Sequence, residues 1–263
     1  MSTRGPDPDR YDEDDAPTVD TAPSRTQAEL SALLESVARE RGLDVRRLDD
    51  EIVLCSDGEH RVLFHGLTSS SSSKLAHVLC GNDAWLRSHL AHHGIPVVPT
   101  RLVGLDDARF ALRAAEQLGF PVRMRLAGVA DDDLGRTVSD VASFHEVWQK
   151  LAQSAPDGRA LVILERQLDG QPVEVAVVAG EVVAASPAGS GTLAAAVGRI
   201  AVEVHFTVAG VCHTVRLRTS SYGDAVDTVD PSLQVWNGAP ELVDKIIKSL
   251  LVAAFSRPAG EST

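Results

Sequence analysis

Leu161-Val162-Ile163-Leu164-Glu165-Arg166 is followed by Val173-Glu174-Val175-Ala176-Val177-Val178 and then Glu181-Val182-Val183-Ala184-Ala185, with no helical periodicity between the runs. Each run is short, rich in β-branched side chains and bounded by turn formers, so all three read as strands. Ala179-Gly180 is too short a link for a crossover, and the last two strands therefore meet as a tight antiparallel hairpin. Sheet following directly on sheet excludes a regular doubly wound order. The fold class is α+β with much antiparallel sheet.

Working upstream, Asn82 caps a helix carrying Trp85, Leu86 and Leu90, ended by Gly94, and Pro96 opens a strand through Val103. A second helix, capped by Asp106, buries Ala111, Leu112, Ala115 and Leu118 and stops at Gly119. A strand over Pro121 to Leu126, an acidic loop over Ala130 to Asp133 and a helix over Ser139 to Gln153 complete the approach to Leu161. Nearer the start, Leu30, Leu33, Leu34 and Val37 predict a helix over Ser24 to Arg41 with Gly42 as its left-handed stop. Glu51 to Cys55 and His60 to Phe64 form a hairpin around Asp57-Gly58, and the serine run Ser69 to Ser73 reads as a polar strand-to-helix connection. Downstream, the period-two pattern of Ala201 to Arg218 predicts a ribbon turned at Ala209-Gly210, with Phe206 and His213 buried and His205 and Cys212 on its solvated face. A helix over Pro240 to Phe255 closes the chain.

The 263 residues carry 25 Lys+Arg against 37 Asp+Glu, a formal charge of −12 that argues against nucleic acid as a partner. No stretch is long and apolar enough to span a membrane, and the first residues lack an apolar signal core, so the expected location is the cytoplasm. Cys55, Cys80 and Cys212 show no CxxC spacing, which argues against a disulfide framework or zinc site. Residues 1–25 are acidic, proline-rich and nearly devoid of apolar side chains, and are expected to be a disordered tail. The remaining organisation reads as a helix-and-hairpin region over 26–80 and two lobes over 81–160 and 161–263.

In order and spacing, several segments between Val62 and Ser186 resemble the ATP-grasp superfamily, in particular the ATP-grasp part of cyanophycin synthetase and of bifunctional glutathione synthetases. Asn82-Asp83-Ala84-Trp85-Leu86 through Gly94-Ile95-Pro96-Val97-Val98-Pro99 is similar to the family's "DK, helix, GVPVP" entry. Leu118 to Arg125 resembles its "GxPVVVKP" strand, Val162 to Gly170 its "VIVERFIPG" hinge, and Val177 to Ala185 its "VVGGKVVAA" hairpin. The resemblance implies two α+β lobes with largely antiparallel sheets around a nucleotide cleft. It also implies ATP with Mg²⁺ as cofactors and amide formation from a small-molecule acid and an amine through an acylphosphate.

Carried over residue by residue, the resemblance sets Arg125 where the family has its phosphate lysine, and Ala84 where it has the earlier one. It puts Glu165, Arg166 and Leu168 at the adenine hinge and Glu174 at the ribose. Gly135-Arg136 stands for the glycine-rich phosphate loop, beside Asp131, Asp132 and Asp133. Leu233 to Pro240 resembles the "IEVNAAPG" metal strand, which makes Asn237 the candidate Mg²⁺ ligand and puts Val235 where a glutamate belongs. Two functions follow: an ATP-dependent carboxylate-amine ligase, or a catalytically degenerate paralogue serving as a binding or regulatory subunit for a protein partner. Whether the chain forms a homo-oligomer stays open.

Overall fold

The computed structural model describes residues 25–127, 135–155, 160–170, 172–186, 191–208, 212–221, 223–230 and 240–256. Residues 1–24, the acidic loop and the Leu233 to Ala239 stretch lie outside them. Helix α1 (Gln27–Glu40) starts in a capping box between Thr26 and Glu29, and Gly42 beyond its end has a φ of 79°. Strands β1 (Asp44–Arg47), β2 (Ile52–Ser56), β3 (Arg61–His65) and β4 (Thr68–Ser69) form an antiparallel meander. The serine run leads, as the sequence predicts, into α2 (Lys74–Cys80), capped by Ser73, and Asn82 caps α3 (Asp83–His92).

The next sheet is β5-β8-β6-β7, built from β5 (Thr100–Gly104), β6 (Val122–Leu126), β7 (Arg136–Val138) and β8 (Leu161–Arg166), so the first strand after residue 160 pairs with the sheet before it and not with the strands that follow. Helices α4 (Ala108–Leu118) and α5 (Val141–Ser154) cover one face, where Val122, Met124, Val162 and Leu164 pack on Ala111, Ala115, Phe144 and Leu151. Alternation along the strands sends Arg123, Arg125, Ile163, Glu165, Thr100 and Leu102 to the other face. The caps are Asp107 and Asp140, each one residue from its expected place, because their carboxylates accept the amides of Phe110 and Ser143.

The third sheet runs β10-β9-β11-β12, from β9 (Pro172–Val178), β10 (Glu181–Ser186), β11 (Cys212–Ser220) and β12 (Gly223–Asp230), all neighbours antiparallel. Helices α2, α3 and α6 (Gly191–Val208) pack on one face through Leu86, Leu90, Val197, Ala201 and Val204. Helices α1 and α7 (Pro240–Phe255) fill the space between its other face and the first sheet. Backbone bonds from Val98 to Val226 (3.0 Å), Val226 to Pro96 (2.9 Å) and Arg166 to Pro99 (2.9 Å) tie the segment before β5 to both the second and third sheets.

The Ala201 to Arg218 ribbon is corrected: its first half is the end of α6, and only Cys212 onward is strand. Val197, Ala201, Val204 and Val208 are buried at helical spacing, continuing a stripe that starts upstream in a region rich in alanine. Phe206 therefore points to solvent, 69% exposed, while His205 is buried, the reverse of the expectation for each. His213, Val215 and Leu217 do share a buried face, as expected, but Cys212 and Thr214 on the opposite face are buried too, because that face packs against the first sheet and its helices instead of solvent.

A buried ion cluster between the lobes

The site forms where α3, the second sheet and the third sheet meet. Glu165 on β8 is 5% exposed, Arg125 on β6 7%, and Arg87 on α3 3%. A charge this deeply buried survives only with compensation. Glu165 Oε1 accepts from Arg87 Nη1 at 2.7 Å and from Arg125 Nη2 at 2.9 Å. Arg125 also donates to the carboxylate of Asp83, at the start of α3.

Arg87 carries the network onward. Its Nη1 reaches Thr100 Oγ1 at 2.7 Å, its Nε and Nη2 the Asp227 carbonyl at 3.1 and 2.9 Å, and Nη2 also Asp227 Oδ1 at 3.3 Å. Asp227 Oδ2 then accepts from Arg218 Nε at 3.2 Å. Arg125, Arg87 and Arg218 thus alternate with Asp83, Glu165 and Asp227 in a chain of ion pairs from β6 to β11. Burial pushes the Glu165 carboxyl up, but Arg87 and Arg125 more than reverse this and leave it below the ordinary range. For Asp83 burial wins, with Glu165 adding to it, and its carboxyl is raised despite the same two arginines.

Of the residues singled out by the sequence, Arg125 and Glu165 are brought together. Glu174 lies on β9, bonded through Oε1 to Arg216 Nη2 and Nε at 2.6 and 3.1 Å. Leu168 is buried in a small cluster with Val98 and Ala225. Arg166 is half-buried at the end of β8 and Arg136 exposed on β7. A Cβ on Gly135 would lie 2.8 Å from the Arg123 guanidinium, so that guanidinium packs directly on its backbone. Asn237 lies outside the described residues.

Asp83, Arg87 and Asp227 were not chosen as site residues from the sequence. Arg87 had a readable signal: it follows Asp83 by four residues and precedes Leu90 by three, on the buried stripe of α3, where a charge demands partners. The histidine face of the corrected ribbon also rearranges. His205 Nδ1 lies 2.9 Å from His213 Nδ1, whereas Cys212 is buried on the opposite face of β11 near the Leu67 carbonyl.

Arg125, the expected phosphate contact, is bonded to Asp83 and Glu165. Among the described residues, no group of three or more His, Cys, Asp or Glu side chains could hold a metal ion, and no helix is long and apolar enough to cross a membrane.

No family model matches the sequence, and no curated protein matches it. By structure, it is similar to the D-alanine–D-alanine ligase of Bacillus anthracis, at 13% identity, over 70% of this chain and 71% of that one, with a TM-score of 0.55. The chain has the ATP-grasp fold. A RimK domain ATP-grasp protein from Sphaerobacter thermophilus matches it at 18% identity, over 67% of this chain and 69% of that one, TM-score 0.53. The ATP-grasp ligase PsnB, solved with a minimal precursor, matches at 14% identity, over 70% and 63%, TM-score 0.53. The α+β class with largely antiparallel sheets is the one the sequence implied.

Proposed function

We propose that this chain is a non-catalytic protein of carboxylate-amine ligase ancestry, acting as a binding or regulatory subunit. The observation that carries this reading is the closure of Arg125 into a buried pair with Asp83 and Glu165. Recruiting Arg125 to a phosphate would break its bond to Asp83 and leave Glu165 with Arg87, at a cost of up to several kcal/mol, the order of removing one partner of a buried pair. The four lysines offer no replacement: Lys74 opens α2, Lys150 lies on α5, and Lys245 and Lys248 lie on α7.

The competing reading, an ATP- and Mg²⁺-dependent ligase, is supported by the fold and by a related structure, the Bacillus anthracis ligase complexed with ATP, which matches at 14% identity over 70% of each chain with a TM-score of 0.53. In that reading Arg125 leaves the cluster to hold phosphate, Glu165, Arg166 and Leu168 orient adenine, and Asn237 contributes to the metal. Calorimetric titration of the full chain with ATP, with and without Mg²⁺, separates the two. The non-catalytic reading expects no saturable Mg²⁺-dependent binding. Binding that Arg125→Ala weakens roughly ten- to a hundredfold, with adenosine unaffected, would restore the ligase; that is the loss of one charge-assisted bond of about 1.5 to 3 kcal/mol.

A further inference from the structure

We propose that the chain forms a two-fold symmetric homodimer through the outward face of α6, packed antiparallel against the same helix of a second copy. The dimer forms whether or not the cleft binds nucleotide. α6 has 18 residues, of which Arg199 and Glu203 alone carry a formal charge. Its inner stripe, Val197, Ala201, Val204 and Val208, is buried on the third sheet. A helix lying on a protein surface normally turns a charged face to water, whereas one that is apolar on both sides is covered on both. The outer side of α6 is apolar apart from its two charges: Ala195 is exposed, Val202 half-buried and Phe206 exposed over the Gly180 turn. Beside it runs a groove of about 470 Å³ between the helix and β10, whose walls include Val182, Ala195, Gly198 and Val202.

A second copy is the occupant because this face complements itself. Ala195, Arg199, Val202, Glu203 and Phe206 fall within about 100° of arc around the helix. Antiparallel packing about a two-fold axis sets residues equidistant from the axis opposite one another. An axis level with residues 200–201 sets Arg199 against Glu203 of the partner subunit and Phe206 against Ala195 of the partner subunit. The midpoints of these two pairs differ by half a residue, about 0.75 Å along the helix. One axis therefore matches opposite charges and also sets the largest side chain of the face against its smallest, next to the groove at Gly198.

Both charges are free to pair in this way. Among the described residues neither Arg199 nor Glu203 forms an ion pair, although they stand four residues apart on one helix, because the order with the basic residue first is the weaker one. A different protein would have to present the reverse order of charge and size on its own surface, which the second copy already carries. In the separated chain Phe206 is 69% exposed, so it contributes to association and little to the folding of one chain. Unfolding followed below the dimer Kd does not register it.

Sedimentation equilibrium of the full chain between roughly 1 μM and 1 mM, the range in which a weak dimer separates, tests this. The mass should rise from 28.0 kDa towards twice that value. Arg199→Glu and Glu203→Arg, each alone, oppose like charges at both symmetric contacts and should raise the dimer Kd by roughly tenfold or more. The double variant restores both pairs and should return Kd to near its parental value. An equimolar mixture of the two single variants should associate more tightly than either does alone. Both side chains are exposed, so far-ultraviolet spectra should be unchanged throughout. A chain that stays monomeric over the whole range, even one that binds another protein on this face, overturns the proposal. So does a dimer indifferent to both single variants, or one that the double variant fails to restore.

Discussion

A guanidinium buried to nine-tenths of its surface is defined by its partners, and Arg125 shows how residue identity and residue role separate. At its strand position the arginine keeps the positive charge of a lysine, yet its forked donors reach Asp83 and Glu165 together and close the site on itself. The His205–His213 pair obeys the same rule with neutral groups. Burial above all, then the neighbouring His205 and His77, push His213 down to about 3. The unfolded chain takes up that proton below the ordinary value of 6.5 and the folded chain does not, so His213 costs nothing above pH 6.5 and progressively destabilises the fold as pH falls towards 3. Between pH 6.5 and about 5, unfolding free energies from urea titration should fall by up to about 1.4 kcal/mol per pH unit for each such group. His213→Gln should flatten that slope by about one group's share; an unchanged slope would assign the titration elsewhere.

Elements are decided by which period a stretch can sustain over its whole length. Val202, Val204, Phe206 and Val208 alternate well enough for a strand, and in a strand all four would share one face. The stripe Val197, Ala201, Val204 and Val208 extends further, and helix wins because it buries more of α6 against the third sheet. Val204 and Phe206 then lie on different sides, the first buried and the second exposed over the Gly180 turn. Val204→Ala should accordingly destabilise by about 2 kcal/mol, whereas Phe206→Ser should stay within about 0.5 kcal/mol, as read by urea unfolding. Equal losses would return the ribbon. The hairpin β9–β10 needed no such arbitration: its turn is too short for anything else, with Ala179 at a φ of 50° and Gly180 at 81°.

In the molecule as a whole, the ion chain is a fastening. Arg87 alone touches α3's neighbours in two sheets, Thr100 and Glu165 in one and Asp227 in the other. Arg87→Ala should cost about 3 to 5 kcal/mol, because it leaves Glu165 and the Asp227 carbonyl under-compensated in the interior. It should also loosen the coupling between lobes, so that the urea transition broadens or splits and amides of β5 to β8 exchange earlier than those of β9 to β12. A single transition at the parental midpoint would show that the backbone bonds around Pro96, Val98 and Val226 hold the lobes without it.

By itself, the sequence determined what local chemistry can determine. The caps at Ser73 and Asn82, the stop at Gly42, the strand runs from Leu161 to Ser186 and the antiparallel α+β class all follow from periodicity and turn geometry within a few residues. The ordered resemblance of those segments to a known family extended this to the fold. Only the tertiary structure decided what the charged residues do. Arg87 and Asp227 stand 140 residues apart, and Arg125 and Glu165 stand 40 apart. Whether a buried charge faces a ligand or another side chain depends on distances that arise only when α3 and two sheets meet. No pattern along the chain encodes that meeting, because ion pairing in a low-dielectric interior is set by geometry in space, and side-chain type fixes only its sign.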